Sequence, residues 1–411
     1  MSATATDRPP LLSGGIDSDE VRAFRERVAE RVRSVAPLVD EAEESGRFPR
    51  AAIEAIGGGG LARERWTGGP HGDAGMGVVI SEELGRAGLG GVGVGVSVHL
   101  DVVLSALTRF GKSDLLRQRL EAALDCTEIG CFAATEDGEG SDLLGMRTTA
   151  TRTDGGWHVR GTKAFASLGA VADFALVLCR SGDASGAVAE RTAGSAIGPP
   201  LSVVCVPRDG FRVVRRLKPL GMRGLETVRI EIDAEVPEEA VLGRPGRGFL
   251  ITTWALTHER LASVAQLIGG ADLGLALATT RLHRRKQFGT PLIEHQALRL
   301  RLGEISAQAT TGRLALYALA ASLDRLRPEW AREVAALKVT LARIAERASS
   351  ECLNMFGGLG YLEDATPLAR FFRDGRFARL GGGTDEVMLE LVAAGLPVDD
   401  ALYDAHVREM A

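Results

Sequence analysis

The feature that most restricts this chain is a change in the period of its apolar residues, from helical to strand-like and back. From Ser18 to about Leu38, Val21, Phe24, Val28, Val32 and Val35 recur at three- and four-residue steps, which is one face of a helix. Phe48–Ile56 reads as a second helix, ended by the run Gly57–Gly60. Gly75–Arg86 and Gly91–Arg109 read as further helices, and Ser113 is placed to cap another over Ser113–Leu124. Near Cys126 the period becomes two. Ile129–Thr135 is strand-like, and Thr148–Arg152 and Trp157–Arg160 flank Thr153-Asp154-Gly155-Gly156 as a hairpin. Ala172–Leu178, Leu201–Val206, Phe211–Val214 and Val228–Ile232 continue the strand pattern, and Ser181–Pro200 reads as a surface loop. After Gly246 the helical period returns in Phe249–Ala278, Gln296–Leu326, Glu329–Met355 and Asp385–Ala394. Three of these are long enough to imply a bundle.

The expected architecture is multidomain, α and β. It has a disordered tail over 1–17, an N-terminal α-helical domain over 18–126 and a middle β domain over 127–245. A C-terminal four-helix bundle over 246–397 and a tail over 398–411 complete it. The chain has 51 glycines among 411 residues, but only 15 prolines, so the glycines punctuate a folded chain.

Charge narrows the function classes. There are 49 basic and 54 acidic residues, so no cationic excess exists to neutralise nucleic-acid phosphates or an anionic membrane. No run of about 18 apolar residues marks a membrane span, and Met1–Ile16 lacks the apolar stretch of a signal peptide. Cys126, Cys131, Cys179, Cys205 and Cys352 fit no zinc spacing. His99, His158, His258 and His283 are too scattered to suggest a metal site. The expectation is a reduced, cytoplasmic protein without metal.

Three segments carry candidate chemistry. Cys131-Phe-Ala-Ala-Thr-Glu-Asp-Gly-Glu-Gly-Ser-Asp142 runs a strand into Gly138 and Gly140, with hydroxyls at Thr135 and Ser141. Such backbone can approach an anion or a flat ring closely, or be a plain strand–loop junction. Arg284-Arg-Lys-Gln-Phe-Gly-Thr-Pro-Leu-Ile-Glu-His-Gln296 sets three cations between two long helices, to hold a pyrophosphate or to complement a helix C-terminus. Asn354-Met-Phe-Gly-Gly-Leu-Gly360 precedes Arg373-Asp374 and Leu380-Gly-Gly-Gly-Thr-Asp-Glu386, where backbone can approach a ligand or cap helices.

These segments, in this order over an α–β–α layout, resemble the acyl-CoA dehydrogenase family of flavoproteins. The resemblance runs from about Ser18 to Leu396 and takes in Phe48-Pro49, Ser81-Glu82-Glu83-Leu84 and Arg109-Phe110-Gly111. It implies FAD held between the β domain and the bundle. Phe132, Ala134, Thr135, Gly140, Ser141, Phe165 and Ser167 would face flavin or thioester. Phe165 stands where the family usually has tryptophan, and Asp137 where it commonly has proline. Arg285, Phe288, His295 and Gln296, with Asn354, Gly357 and Gly358, match segments that reach the FAD of a neighbouring subunit. Thr384 and Glu386 would contact its phosphate and adenosine parts. A homo-oligomer, usually a tetramer, is therefore implied.

The implied reaction removes the α proton of an acyl thioester, carried on CoA or an acyl-carrier protein, and passes the β hydride to flavin N5. Electrons then go to electron-transferring flavoprotein. Many members place the base just before a Gly-Thr pair, a position occupied here by Gly382. In relatives such as the isovaleryl-CoA and long-chain acyl-CoA dehydrogenases the base lies in a Glu-Arg-Leu motif, matched by Glu259-Arg260-Leu261. Helical spacing surrounds Glu259 with Ala255, Leu256, Ala262 and Ser263, so it should face packed interior or a pocket, where burial would raise its pKa. Arg260 would be structural or near substrate, and the Gly383 N–H would help hold the thioester carbonyl. The competing readings are a flavin oxidase or monooxygenase on the same fold, and a non-catalytic subunit of a hetero-oligomer.

Overall fold

The computed structural model describes residues 9–182, 200–323 and 329–407. The N-terminal layer comprises α1 (Asp19–Val35), α2 (Val39–Ser45), α3 (Ala51–Gly57), α4 (Leu61–Arg65), α5 (Ala74–Arg86), α6 (Gly90–Ser97), α7 (Leu104–Phe110) and α8 (Asp114–Leu124). Helix α1 starts where its cap dictates, the Ser18 side chain accepting from the Val21 N–H, and its five-residue apolar stripe is buried. Ser113 caps α8 in the same way. A π-helical turn at Val98–Val103 joins α6 to α7, so the helix over 90–110 is continuous.

The middle sheet has seven strands: β1 (Gly130–Ala133), β2 (Thr149–Thr153), β3 (Gly156–Ala166), β4 (Phe174–Gly182), β5 (Leu201–Pro207), β6 (Phe211–Arg216) and β7 (Val228–Pro237). Strand β4 is its centre. β1 and β2 pair with it in parallel and β5 antiparallel, so Phe174–Cys179 are fully buried. The hairpin β2–β3 and the ladder β3–β7–β6 complete the sheet. A register shift between Lys163 and Ala166 marks a bulge at the end of β3.

The C-terminal part is built on α9 (Gly248–Arg284), α10 (Gln296–Ser322) and α11 (Trp330–Phe356), with the shorter α12 (Leu368–Phe377) and α13 (Asp385–Ala393) against α11. Helix α9 also packs along α5, and two glycines set how closely. A Cβ on Gly85 would overlap the Gln266 carbonyl, and one on Gly269 the Glu82 carbonyl, so the two backbones touch. Beside this crossing the buried Glu82 carboxylate accepts from Arg25 at 2.7 Å, Arg313 at 2.7 Å and Tyr317 at 2.5 Å, tying α1, α5 and α10 together.

Several expectations change. Residues 9–17 of the stretch read as a tail are structured. Leu11–Gly14 forms a 3-10 turn with Leu11 and Leu12 buried, Leu12 packs on Gly75, and the Leu11 N–H donates to Asp73 at 2.7 Å. A lone pair of leucines has no period to detect, yet it fills a gap. The C-terminal stretch contains α14 (Asp400–His406), with Leu402 and Tyr403 exposed. Helices α2, α4 and α12 have no counterpart in the sequence reading. Residues 183–199 of the expected surface loop lie outside the described residues. Two helices, Gly90–Phe110 and Gly248–Arg284, are apolar enough by composition to cross a membrane, but 89% and 67% of their most apolar windows are buried in protein. All five cysteines are buried, with desolvation pushing their thiols up to about 12.

Candidate active site

Helix α9 supplies the centre of the site. Between residues 249 and 263 only Phe249, Leu250, Thr253, Leu256, Glu259 and Ser263 keep solvent access; every other side chain there is buried. Their three- and four-residue spacing is one helix face. A solvent-accessible stripe therefore runs from the exposed Phe249 and Leu250 along this otherwise buried stretch of helix to Glu259.

Glu259 is half-buried, and its Oε2 is sealed from solvent without a hydrogen-bond partner among the described residues. Burial pushes its carboxyl above the usual range, and the Asp101 charge adds to the effect. Arg260 and Lys338 pull the other way. Facing it is the turn Gly381–Gly383. Gly382 has φ +67, and a Cβ there would overlap Glu259 Oε2 and stand 3.0 Å from its Cδ. A side chain at 382 and the Glu259 carboxylate thus compete for one space, which is why the turn is glycine where the carboxylate comes from α9.

Two buried cations hold that turn. Arg260 Nε donates to the Gly382 carbonyl at 2.7 Å, and Lys338 Nζ on α11 donates to the Gly383 carbonyl at 2.6 Å. Because the Gly382–Gly383 peptide is trans, the Gly383 N–H points away from Arg260. On the other side of the turn Thr384 caps α13, its hydroxyl accepting from Val387 N, and Glu386 is exposed.

The β domain contributes an ordered edge. Lys163 Nζ, fully buried, reaches the Ala134 carbonyl and Glu136 Oε1, both at 2.9 Å. Glu136 in turn accepts from the backbone N–H groups of Arg147 at 2.7 Å and Thr148 at 2.9 Å. Glu136 therefore orders the loop. Asp137, the position where proline is common, pairs with Arg229 at 2.6 Å. Phe132, Ala134, Thr135 and Ser167 are partly buried along this edge, and Gly140 and Ser141 are exposed. The β3 bulge turns Phe165 outward at φ +53 with 63% exposure.

A second group lies elsewhere. Arg285 stands about 39 Å beyond Glu259 along α9, at the helical rise of 1.5 Å per residue. Phe288, 94% exposed, lies 6.1 Å from the His295 ring, and Gln296 begins α10. Arg281 over the Phe356 ring brings the end of α11, with Asn354, Gly357 and Gly358, to the same end of the bundle. Within one chain the two groups are therefore set far apart along α9.

Models of the acyl-CoA dehydrogenase N-terminal, middle and C-terminal domains match residues 18–125, 131–234 and 246–396. The chain belongs to the acyl-CoA dehydrogenase family. It is 40% identical to the acyl-[acyl-carrier-protein] dehydrogenase MbtN of Mycolicibacterium paratuberculosis over 383 residues, 93% of either chain. It is 28% identical to the human mitochondrial short-chain specific acyl-CoA dehydrogenase over 370 residues, 88% of this chain and 86% of that one. The solved butyryl-CoA dehydrogenase of Megasphaera elsdenii superposes with a TM-score of 0.83 at 25% identity, covering 92% of this chain and 98% of that one.

FAD is the cofactor of an acyl-CoA dehydrogenase of this kind, and the residues present fit it. Large rings at Phe165 and Phe288 stand open to solvent, and Gly357 (φ +62), Gly358 and Gly138 face empty space where a Cβ would meet nothing within 4 Å. Exposed rings and open backbone are the kinds of surface that suit a flat aromatic ligand with a diphosphate.

Other buried charges escaped the sequence reading. Asp374 bridges α12 to the β domain, accepting from the Met222 N–H at 2.5 Å, and burial raises its carboxyl to about 7. Arg65 and Asp101 form a buried pair at 3.4 Å, with burial raising Asp101 to about 6. His258, beside Glu259 but on the opposite face, meets His71 at 3.3 Å among Trp66, Trp254 and Trp330. Lys338 carried a readable signal: a lysine among Val334, Ala335, Leu341 and Ala342 at helical spacing sits on a core face.

Proposed function

We propose that this chain dehydrogenates an acyl thioester at its α,β bond with Glu259 as the base that takes the α proton. The observation that carries the proposal is the exclusion between Glu259 and residue 382: the carboxylate fills the space that a side chain there would need. Desolvation keeps the Glu259 carboxylate basic, and its unpartnered Oε2 is available to a substrate C–H. Flavin, when bound, accepts the β hydride. Arg260 and Lys338 hold the glycine turn by its carbonyls, leaving the Gly383 N–H as donor to the thioester carbonyl as negative charge develops there. The accessible face of α9 from Phe249 to Glu259 gives the acyl thioester its path.

The same reading takes two chains for each complete flavin site, because Arg285, Phe288 and Asn354 lie at the far end of the bundle from Glu259. It gives the electrons to an electron-transferring flavoprotein. The test is anaerobic bleaching of the flavin band by a panel of acyl thioesters, with Glu259→Gln as the control. The variant should stay yellow and bleach about 10²–10⁴-fold more slowly. Normal turnover by the variant would end the assignment.

A further inference from the structure

The start of the accessible face of α9 carries cations that pair with no carboxylate among the described residues. The C-terminal end of α7 and the approach to α9 meet there: the Gly243 N–H donates to the Phe110 carbonyl at 2.9 Å, and Phe110 and Arg109 both lie against Trp254 of α9. Arg109, Lys112, Arg244 and Arg247 are exposed around this junction. Among the described residues none of the four side chains has a carboxylate partner, although the protein as a whole has five more acidic than basic residues. On the adjoining turn Glu238 is paired with Arg152 at 2.8 Å and Glu239 is exposed, so four cations face one carboxylate there. Next to the cations Phe249 and Leu250 are 54% and 53% exposed. They begin the open face of α9 that ends, about 15 Å further along the helix, at Glu259.

We propose that this rim is the docking surface for an acidic carrier protein that delivers the acyl group on a phosphopantetheine arm. The inference rests on the dehydrogenase reading above and names the thioester's carrier. Cations without partners, arranged around two apolar side chains, complement an acidic helix with an apolar centre. The accessible face of α9 starts at that rim, and its length of about 15 Å suits an extended pantetheine chain with the thioester at Glu259. Such a partner gains most in association rate, through steering that salt weakens.

The test compares three thioesters of one acyl group: on an acyl-carrier protein, on CoA and on uncharged pantetheine. Each is assayed by flavin reduction with the FAD-loaded enzyme and with its Arg244→Glu/Arg247→Glu variant. The expected result is a loss of about tenfold or more in kcat/KM for the carrier-protein substrate, a matching fall with added salt in the unmodified enzyme, and no change with acyl-pantetheine. Equal activity of variant and parent on the carrier-protein substrate would overturn the proposal. So would a preference for acyl-CoA that the reversal abolishes, because the rim would then hold nucleotide phosphates. Failure of every thioester to reduce the flavin of the unmodified enzyme would instead overturn the underlying dehydrogenase reading.

Discussion

Moving the carboxylate from α9 to the glycine turn tests the logic of the site most directly. Three variants are compared: Glu259→Ala, Gly382→Glu and the double change. Removing Glu259 alone discards the base, which costs about 10²–10⁴ in rate, or about 3–5 kcal/mol of barrier. Adding glutamate at 382 alone forces a Cβ into the volume of Glu259 Oε2 and places an L side chain at φ +67. The backbone strain alone is about 1–2 kcal/mol, and the collision adds to it. In the double variant the collision is gone and only the strain remains. The new Cβ stands 3.0 Å from the place Glu259 Cδ has vacated, so a carboxylate from 382 can reach the same pocket. Stopped-flow flavin reduction should then show the double variant at least about tenfold faster than Glu259→Ala, and denaturation should show it more stable than Gly382→Glu. A double variant that holds FAD yet is no faster than Glu259→Ala would refute the claim that the two positions share one function.

Other consequences are simpler to check. Glu259 must be ionised to act and burial raises its pKa, so the rate of flavin reduction should fall as pH drops through a midpoint above the ordinary carboxylate range. Lys338→Met removes a charge that lowers that pKa and a donor that holds the Gly383 carbonyl, so the midpoint should move to higher pH and the limiting rate should fall. Glu82→Ala leaves Arg25 and Arg313 around an empty site at the α1–α5–α10 junction. It should cost about 3–5 kcal/mol in chemical denaturation. Asp374 is protonated more readily folded than unfolded, with its pKa raised to about 7, so it lowers stability as pH rises from about 4 to 7. Asp374→Asn should flatten that part of a Tm-against-pH curve.

Much of the fold could be read because each layer has its own apolar period, and α1 is the plainest case: its cap and its five buried positions are all local. What could not be read is closed by contacts distant in sequence. Leu11 and Leu12 are buried by α5 more than 60 residues on, and α12 is held at Asp374 by a backbone donor 152 residues earlier. The site divides along the same line. Glu259 announces itself through an apolar helix face and a motif, and Gly382 through the absence of a carboxylate. Asp101 and His71 do not, because a buried charge or ring becomes intelligible only with its partner, and His71 and His258 are 187 residues apart.

The five cysteines have a practical meaning of their own. Each is enclosed, and each thiol is held mostly in its unreactive protonated form at neutral pH. The folded protein should therefore ignore maleimides and alkylating reagents without any cysteine being removed. A single thiol introduced on the surface, as in Arg247→Cys, would be the one place a fluorophore or spin label attaches. The native chain is thus ready for distance and proximity measurements in solution.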